Sequence, residues 1–140
     1  MSTKLDQQLL QIDKYMGLLK GKQNISKEEF INDETTISAV EHWLQLTIEG
    51  CINIGAIVIS SLSLEKYNNY SDIFLILGKN KIIPSELINN LVQMAKFRNR
   101  LVHLYWEVDA AVVYEIYQTQ LVDIEEYIKA ILKLRDDGRI

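Results

Sequence analysis

Apolar residues return at steps of three and four along almost the whole chain, and this pattern excludes most folds. Leu5, Leu9, Ile12, Met16 and Leu19 draw one amphipathic stripe. Such spacing sets one face of an α-helix against a core, whereas a half-buried strand needs strict alternation. Ile37, Val40, Leu44, Ile48, Cys51 or Ile52, Gly55 and Ile59 draw a second, longer stripe. The short run "DIFLIL" suggests a third helix, and Leu87, Leu91, Met94 and Leu101 a fourth, with Val92, Ala95 and Val102 beside them. Val113, Ile116, Leu121, Ile124, Ile128 and Ile131 mark a fifth. Only "CINIGAIVIS" has the β-branched content of a strand, and the helical stripe running into it from Ile37 outweighs that preference. The expected architecture is an all-α antiparallel bundle of about five helices.

The punctuation agrees. "GKQN" breaks the first helix, with Gly21 placed as its C-cap, and Asn32 or Asp33 can cap a second helix running to about Leu62. Ser71 is placed to cap the third and Gly78 to stop it. Pro84 suits the first turn of the fourth, where no amide hydrogen is needed. Asp109 can cap the fifth, and the tail "RDDGRI" is expected to fray. Gly50 and Gly55 each cost a helix interior about 1 kcal/mol, which predicts a second helix packing closely there.

A chain of 140 residues is most simply one domain, residues 1–140, large enough to bury a core without staples. Its single cysteine, Cys51, allows no intrachain disulfide, fits a reducing cytoplasm and reads as a small buried apolar residue. "MSTKLDQQLLQIDKYMGLLKGK" carries acids and lacks the apolar core of a signal peptide. Val40 to Leu62 is interrupted by Glu41, His42, Gln45, Glu49 and Asn53, so it reads as a core helix rather than a membrane span. A formal net charge of −4 argues against indiscriminate nucleic-acid binding. Any such activity needs a local basic patch. One exists: from Leu87 to Trp106 there is no Asp or Glu, while Lys96, Arg98, Arg100 and His103 all fall there.

That window ends in "FRNRLVHLYWEVD". Arg98 can grip a phosphate with two parallel hydrogen bonds and neutralise growing charge. His103 can move a proton to or from a ribose hydroxyl or a leaving oxygen. Tyr105 offers a phenol that can donate to phosphate or stack on a base. Together they suit RNA cleavage without metal, the RNA's own 2′-hydroxyl acting as nucleophile. No His/Cys cluster, HExxH pattern, Gly-rich phosphate loop or G-x-S-x-G elbow is present, so neither metal nor cofactor is expected. Geometry raises an objection. Arg98 and His103 lie five positions apart, about 140° around a regular helix, and would diverge. Either the helix ends near Leu104 and the chain turns before Asp109, or a second copy completes the site across a two-fold axis. Basic residues near a helix C-terminus also simply meet its dipole. The residues alone therefore leave open a ribonuclease, a silent binding subunit and a helical scaffold.

"FRNRLVHLYWEVD" resembles the signature of the HEPN superfamily, and specifically of the HepT-like toxins. Arg98-x4-His103 matches the short form of the superfamily motif, and Asn99 and Tyr105 match the HepT additions. "MAKFRNRLVH", "VDAAVVYEI" and "AVEHWLQLTIEGCINIG" resemble the surrounding helices, so the likeness runs from about Leu5 to Leu132. It implies a cytoplasmic, metal-independent endoribonuclease toxin acting as a homodimer, with two copies of the motif in one cleft. It also implies a partner, a nucleotidyltransferase antitoxin that transfers AMP from ATP onto Tyr105 and blocks the site by occupancy and charge. Arg98 and His103 are then catalytic, and Asn99, Arg100 and Tyr105 support or bind RNA. For Arg100 a solvated role competes. Trp106 is expected in a core or interface and Glu107 has no assigned role. The chain departs from the family at His42-Trp43, where a basic residue is frequent; His42 is read as packing or surface rather than a substitute contact. The alternative is a catalytically silent HEPN-like subunit that presents a nucleotide or RNA pocket to a nucleotidyltransferase.

Overall fold

The computed structural model describes residues 3–140, and every described element is helical. Seven α-helices follow in order: α1 (Lys4–Lys20), α2 (Lys27–Ile31), α3 (Glu34–Ser61), α4 (Tyr70–Lys79), α5 (Ser85–His103), α6 (Ala110–Thr119) and α7 (Leu121–Asp136). A 3-10 turn, Tyr105–Glu107, joins α5 to α6. The all-α expectation holds, but the count of about five does not, for two reasons. A short α2 forms between "GKQN" and Asp33, because Ser26 accepts from the Glu29 amide and Phe30 is fully buried against Tyr114 and Tyr117. The expected fifth helix breaks at Gln120 into α6 and α7.

Asp33 caps α3 by accepting from the Thr36 amide, and Leu62 ends it. Asn69, not Ser71, caps α4, in a reciprocal capping box with Asp72. Gly78 lies inside α4 rather than stopping it; a Cβ there would collide with Ile88 of α5. "CINIGAIVIS" is helical throughout. The tail carries α7 to Asp136 and then turns at Gly138 with φ 75°.

Helix α3 is the axis of the bundle. Gln11 Nε2 donates to the Leu46 carbonyl and Asn53 Nδ2 to Gln8 Oε1, so α1 runs antiparallel to it. The two helices touch at Gly50, where a Cβ would sit 2.6 Å from Ile12 Cγ1. At Gly55 the clash would be with Ile73 of α4, and Tyr127 Oη of α7 would lie 3.2 Å away. The closeness expected at both glycines is present. The Tyr127 hydroxyl donates to the Cys51 carbonyl at 2.8 Å inside the core. Beside it, burial pushes the Cys51 thiol up to about 12. By length and hydropathy α3 could cross a membrane, yet Val40, Leu44, Ile48, Ile54 and Val58 are wholly covered by the other helices.

Candidate active site at the end of α5

Helix α5 ends at His103, as the first of the two geometric alternatives requires. Leu104 leaves the helical region (φ −137°, ψ 39°) while its amide still bonds to the Arg100 carbonyl at 2.8 Å. The chain then makes the turn Tyr105–Glu107, and Asp109 caps α6 by accepting from the Ala111 amide. His103 is therefore an exposed residue in the last turn, at the negative end of the helix dipole. Tyr105 and Trp106 are each 66% exposed, their rings edge-to-face at 5.3 Å, with Leu104 also exposed beside them. Trp106 is thus not a core residue.

Arg98 is the most constrained member of the motif. Its Nε donates to Glu49 Oε2 at 3.0 Å, and its Nη2 lies 3.0 Å from the same oxygen. Nη1 donates to Asn99 Oδ1 at 3.0 Å, and the guanidinium lies over the Tyr70 ring at 5.3 Å. A guanidinium has five N–H donors. Three are engaged, and two remain for an incoming anion. The same Glu49 oxygen accepts from Gln45 Nε2 at 3.1 Å. Glu49 is therefore a hub that fixes Arg98 from α3.

Two small cavities lie along that face of α3. One, of about 110 Å³, is lined by Glu49, Ile52, Asn53, Tyr70 and Arg98. The other, of about 190 Å³, is lined by Ser38, Glu41, His42, Gln45, Leu101 and Tyr105. His42 and Glu49 are seven residues apart, so the cavities are stacked about 10 Å apart on one helix face. Gln45 lines the second and hydrogen-bonds to Glu49 in the first. Burial, then the nearby Glu34, holds the Glu41 carboxyl above its ordinary range. His42 is exposed and meets Tyr15 edge-on at 6.4 Å. Arg100 points elsewhere: it is exposed, with a long 3.4 Å hydrogen bond from Nη2 to the Glu107 carbonyl.

Structure thus joins Arg98 to Asn99 and links Tyr105 to His42 through a shared cavity, while leaving Arg100 apart. Sequence reasoning missed Glu49, Gln45 and Tyr70. The first two were visible only as polar interruptions of the α3 stripe. Among the described residues no group of three or more His, Cys, Asp or Glu side chains is placed to hold a metal ion.

A family model described as Ribonuclease HepT-like matches residues 5–131. The chain belongs to the HepT-like ribonuclease family. Within that family, a tRNA nuclease HepT from Aphanizomenon flos-aquae is 31% identical over 121 residues, covering 86% of this chain and 82% of that protein. An mRNA nuclease HepT from Shewanella oneidensis is 32% identical over 103 residues, covering 74% of this chain and 77% of that one. The HepT-like fold also matches a solved tri-AMPylated Shewanella oneidensis HEPN toxin in complex with MNT antitoxin. That match has TM-score 0.83 and 26% identity, covering 95% of this chain and 99% of that one.

Proposed function

We propose that this chain is the toxin of a toxin–antitoxin pair and cleaves RNA without a metal ion, using Arg98 and His103. The observation that carries this reading is the state of Arg98: clamped by Glu49 and Asn99, stacked on Tyr70, and still holding two free donors just ahead of an exposed imidazole. A clamped fork loses little side-chain freedom when it grips a phosphate. In the reaction the RNA 2′-oxygen bonds to the adjacent phosphorus while the bond from phosphorus to the 5′-oxygen breaks. The products are a cyclic 2′,3′-phosphate and a 5′-hydroxyl. One imidazole takes the 2′-hydroxyl proton, and an imidazolium returns a proton to the leaving oxygen. Arg98 meets the charge that builds on the phosphoryl oxygens.

Two imidazoles follow from a homodimer whose shared cleft contains two copies of the motif. The exposed apolar group Leu104, Tyr105 and Trp106 suits the seam of such a dimer. Asn99 holds Arg98, Arg100 contributes charge, and Tyr105 is the point of control. Its exposed phenol is open to an MNT-type nucleotidyltransferase antitoxin, and the tri-AMPylated relative supports this reading. Each adenylate would bring a phosphate anion to the donors that RNA requires.

The test uses purified chain, checked by intact mass to be unmodified, with RNA and excess chelator. Cleavage is expected, and His103→Ala should lower it at least about 100-fold while the circular dichroism stays helical. Equal cutting by that variant would remove His103 from the reaction. One observation favours the second reading, a silent RNA- or nucleotide-binding subunit: Glu49 already neutralises Arg98. Unmodified chain that binds RNA yet never cuts it would establish that alternative.

A further inference from the structure

The chain carries net charge −4, yet one groove on it is strongly basic. It measures about 830 Å³ and lies between the α4–α5 loop and the C-terminal half of α7. Lys79, Lys81, Lys129, Lys133 and Arg139 line it against only Glu126 and Asp137. Lys79 pairs with Glu65 at 3.7 Å and Lys129 with Glu126 at 3.2 Å, both in exposed pairs that an anion displaces at little cost. Among the described residues Lys81, Lys133 and Arg139 form no ion pair. Pro84 and Ser85 also line the groove, and no side chain caps α5 there.

Lys81 is an unexpected residue for its position. Helices α3, α4 and α7 all end in the same motif, with positive φ at Ser63 (52°), Lys81 (57°) and Gly138 (75°). At α4 the Ile82 amide bonds to the Leu77 carbonyl and the Lys81 amide to that of Gly78. Glycine is the relaxed choice at such a site, as at Gly138, and a lysine is strained there. Backbone preference therefore does not account for Lys81, whereas its charge in the groove does.

We propose that this groove is a second RNA contact, gripping the phosphate backbone of a substrate whose scissile bond lies at the other end of α5. Ser85 lines the groove and His103 ends the helix, which separates the two places by about 27 Å. The proposal rests on the ribonuclease reading above. An acidic nuclease must overcome its own repulsion for a polyanion, and phosphate contacts away from the reacting bond do so while fixing register. A bland cause competes: α4 and α7 both end here, and cations meet the carbonyl ends of helices. That cause predicts lost stability when the cations are removed, whereas RNA contact does not.

The experiment compares the chain with a triple variant, Lys81→Gly, Lys133→Gln and Arg139→Gln. Binding is measured in a His103→Ala background, with a labelled single-stranded RNA long enough to span both ends of α5. The triple variant is expected to bind at least about 10-fold more weakly at low salt, its log–log salt slope flatter by roughly two units for three lost phosphate contacts. Its melting temperature should be unchanged or raised, since glycine relaxes position 81. With His103 intact, the triple variant should cut a dinucleotide, too short to reach the groove, as fast as the parent does. Unchanged RNA affinity overturns the proposal. So does a fall in melting temperature that accounts for the loss, displacement of RNA by ATP at matched ionic strength, or a defect confined to capture of the nucleotidyltransferase. If the parent cuts no RNA but the binding loss persists, the groove stands and the ribonuclease reading falls.

Discussion

Glu49 is the residue whose removal tests the site most directly. The side chains of Arg98 and Glu49 keep only 17% and 24% of their exposure. Deleting one partner of a fully buried pair costs about 3–5 kcal/mol, because the other charge is stranded. Here a fifth of each side chain still meets water, and Asn99 keeps one donor satisfied, so Glu49→Ala should cost about 2 kcal/mol. For a chain of this length that lowers the melting temperature by roughly 8 °C. In an Arg98→Ala background the same substitution should cost almost nothing, since Glu49 has already lost its cation. Thermal unfolding of the four proteins gives the coupling, expected at about 2 kcal/mol. The functional consequence is separate. Freed from Glu49, the guanidinium samples other rotamers, and single-turnover RNA cleavage should slow roughly 10- to 100-fold, with less effect on binding. Glu49→Gln keeps an acceptor and should recover much of that rate, as expected of a positioning residue. Additive melting shifts, or cleavage by Glu49→Ala at the parent rate, would refute this account of Arg98.

Two further expectations follow from the geometry. Gly55→Ala sets a helix-propensity gain of about 1 kcal/mol against an overpacking cost of about 1–3 kcal/mol where α3, α4 and α7 meet. A net loss of about 1 kcal/mol should appear in chemical denaturation, and a more stable variant would show that Ile73 and Tyr127 give way easily. Tyr105→Phe should keep RNA cleavage within a few-fold of the parent but prevent any mass gain on coexpression with a cognate nucleotidyltransferase. Adenylation of the Tyr105→Phe variant would move the modification elsewhere.

The helical stripes and the caps at Asp33 and Asp109 were legible because each is a local pattern with a local cause. So was the end of α5, where the motif's angular mismatch demanded a break. Other features lacked such a signal. Helix α2 spans five residues, too short for any periodicity, and its one buried side chain, Phe30, is held by α6 far along the chain. The break at Gln120 carries neither Gly nor Pro, and the apolar stripe runs through it with only a small change of phase. Asn69 and Ser71 are both good caps, and only the reciprocal bond to Asp72 separates them. The site shows the same limit more sharply. The window from Leu87 to Trp106 has no acid in sequence, yet Glu49 is brought from α3 to the centre of that window, directly onto Arg98. Spacing within one helix identifies which groups can do chemistry. Whether they are free, clamped or neutralised is decided by packing between helices, which for Arg98 lies 49 residues away.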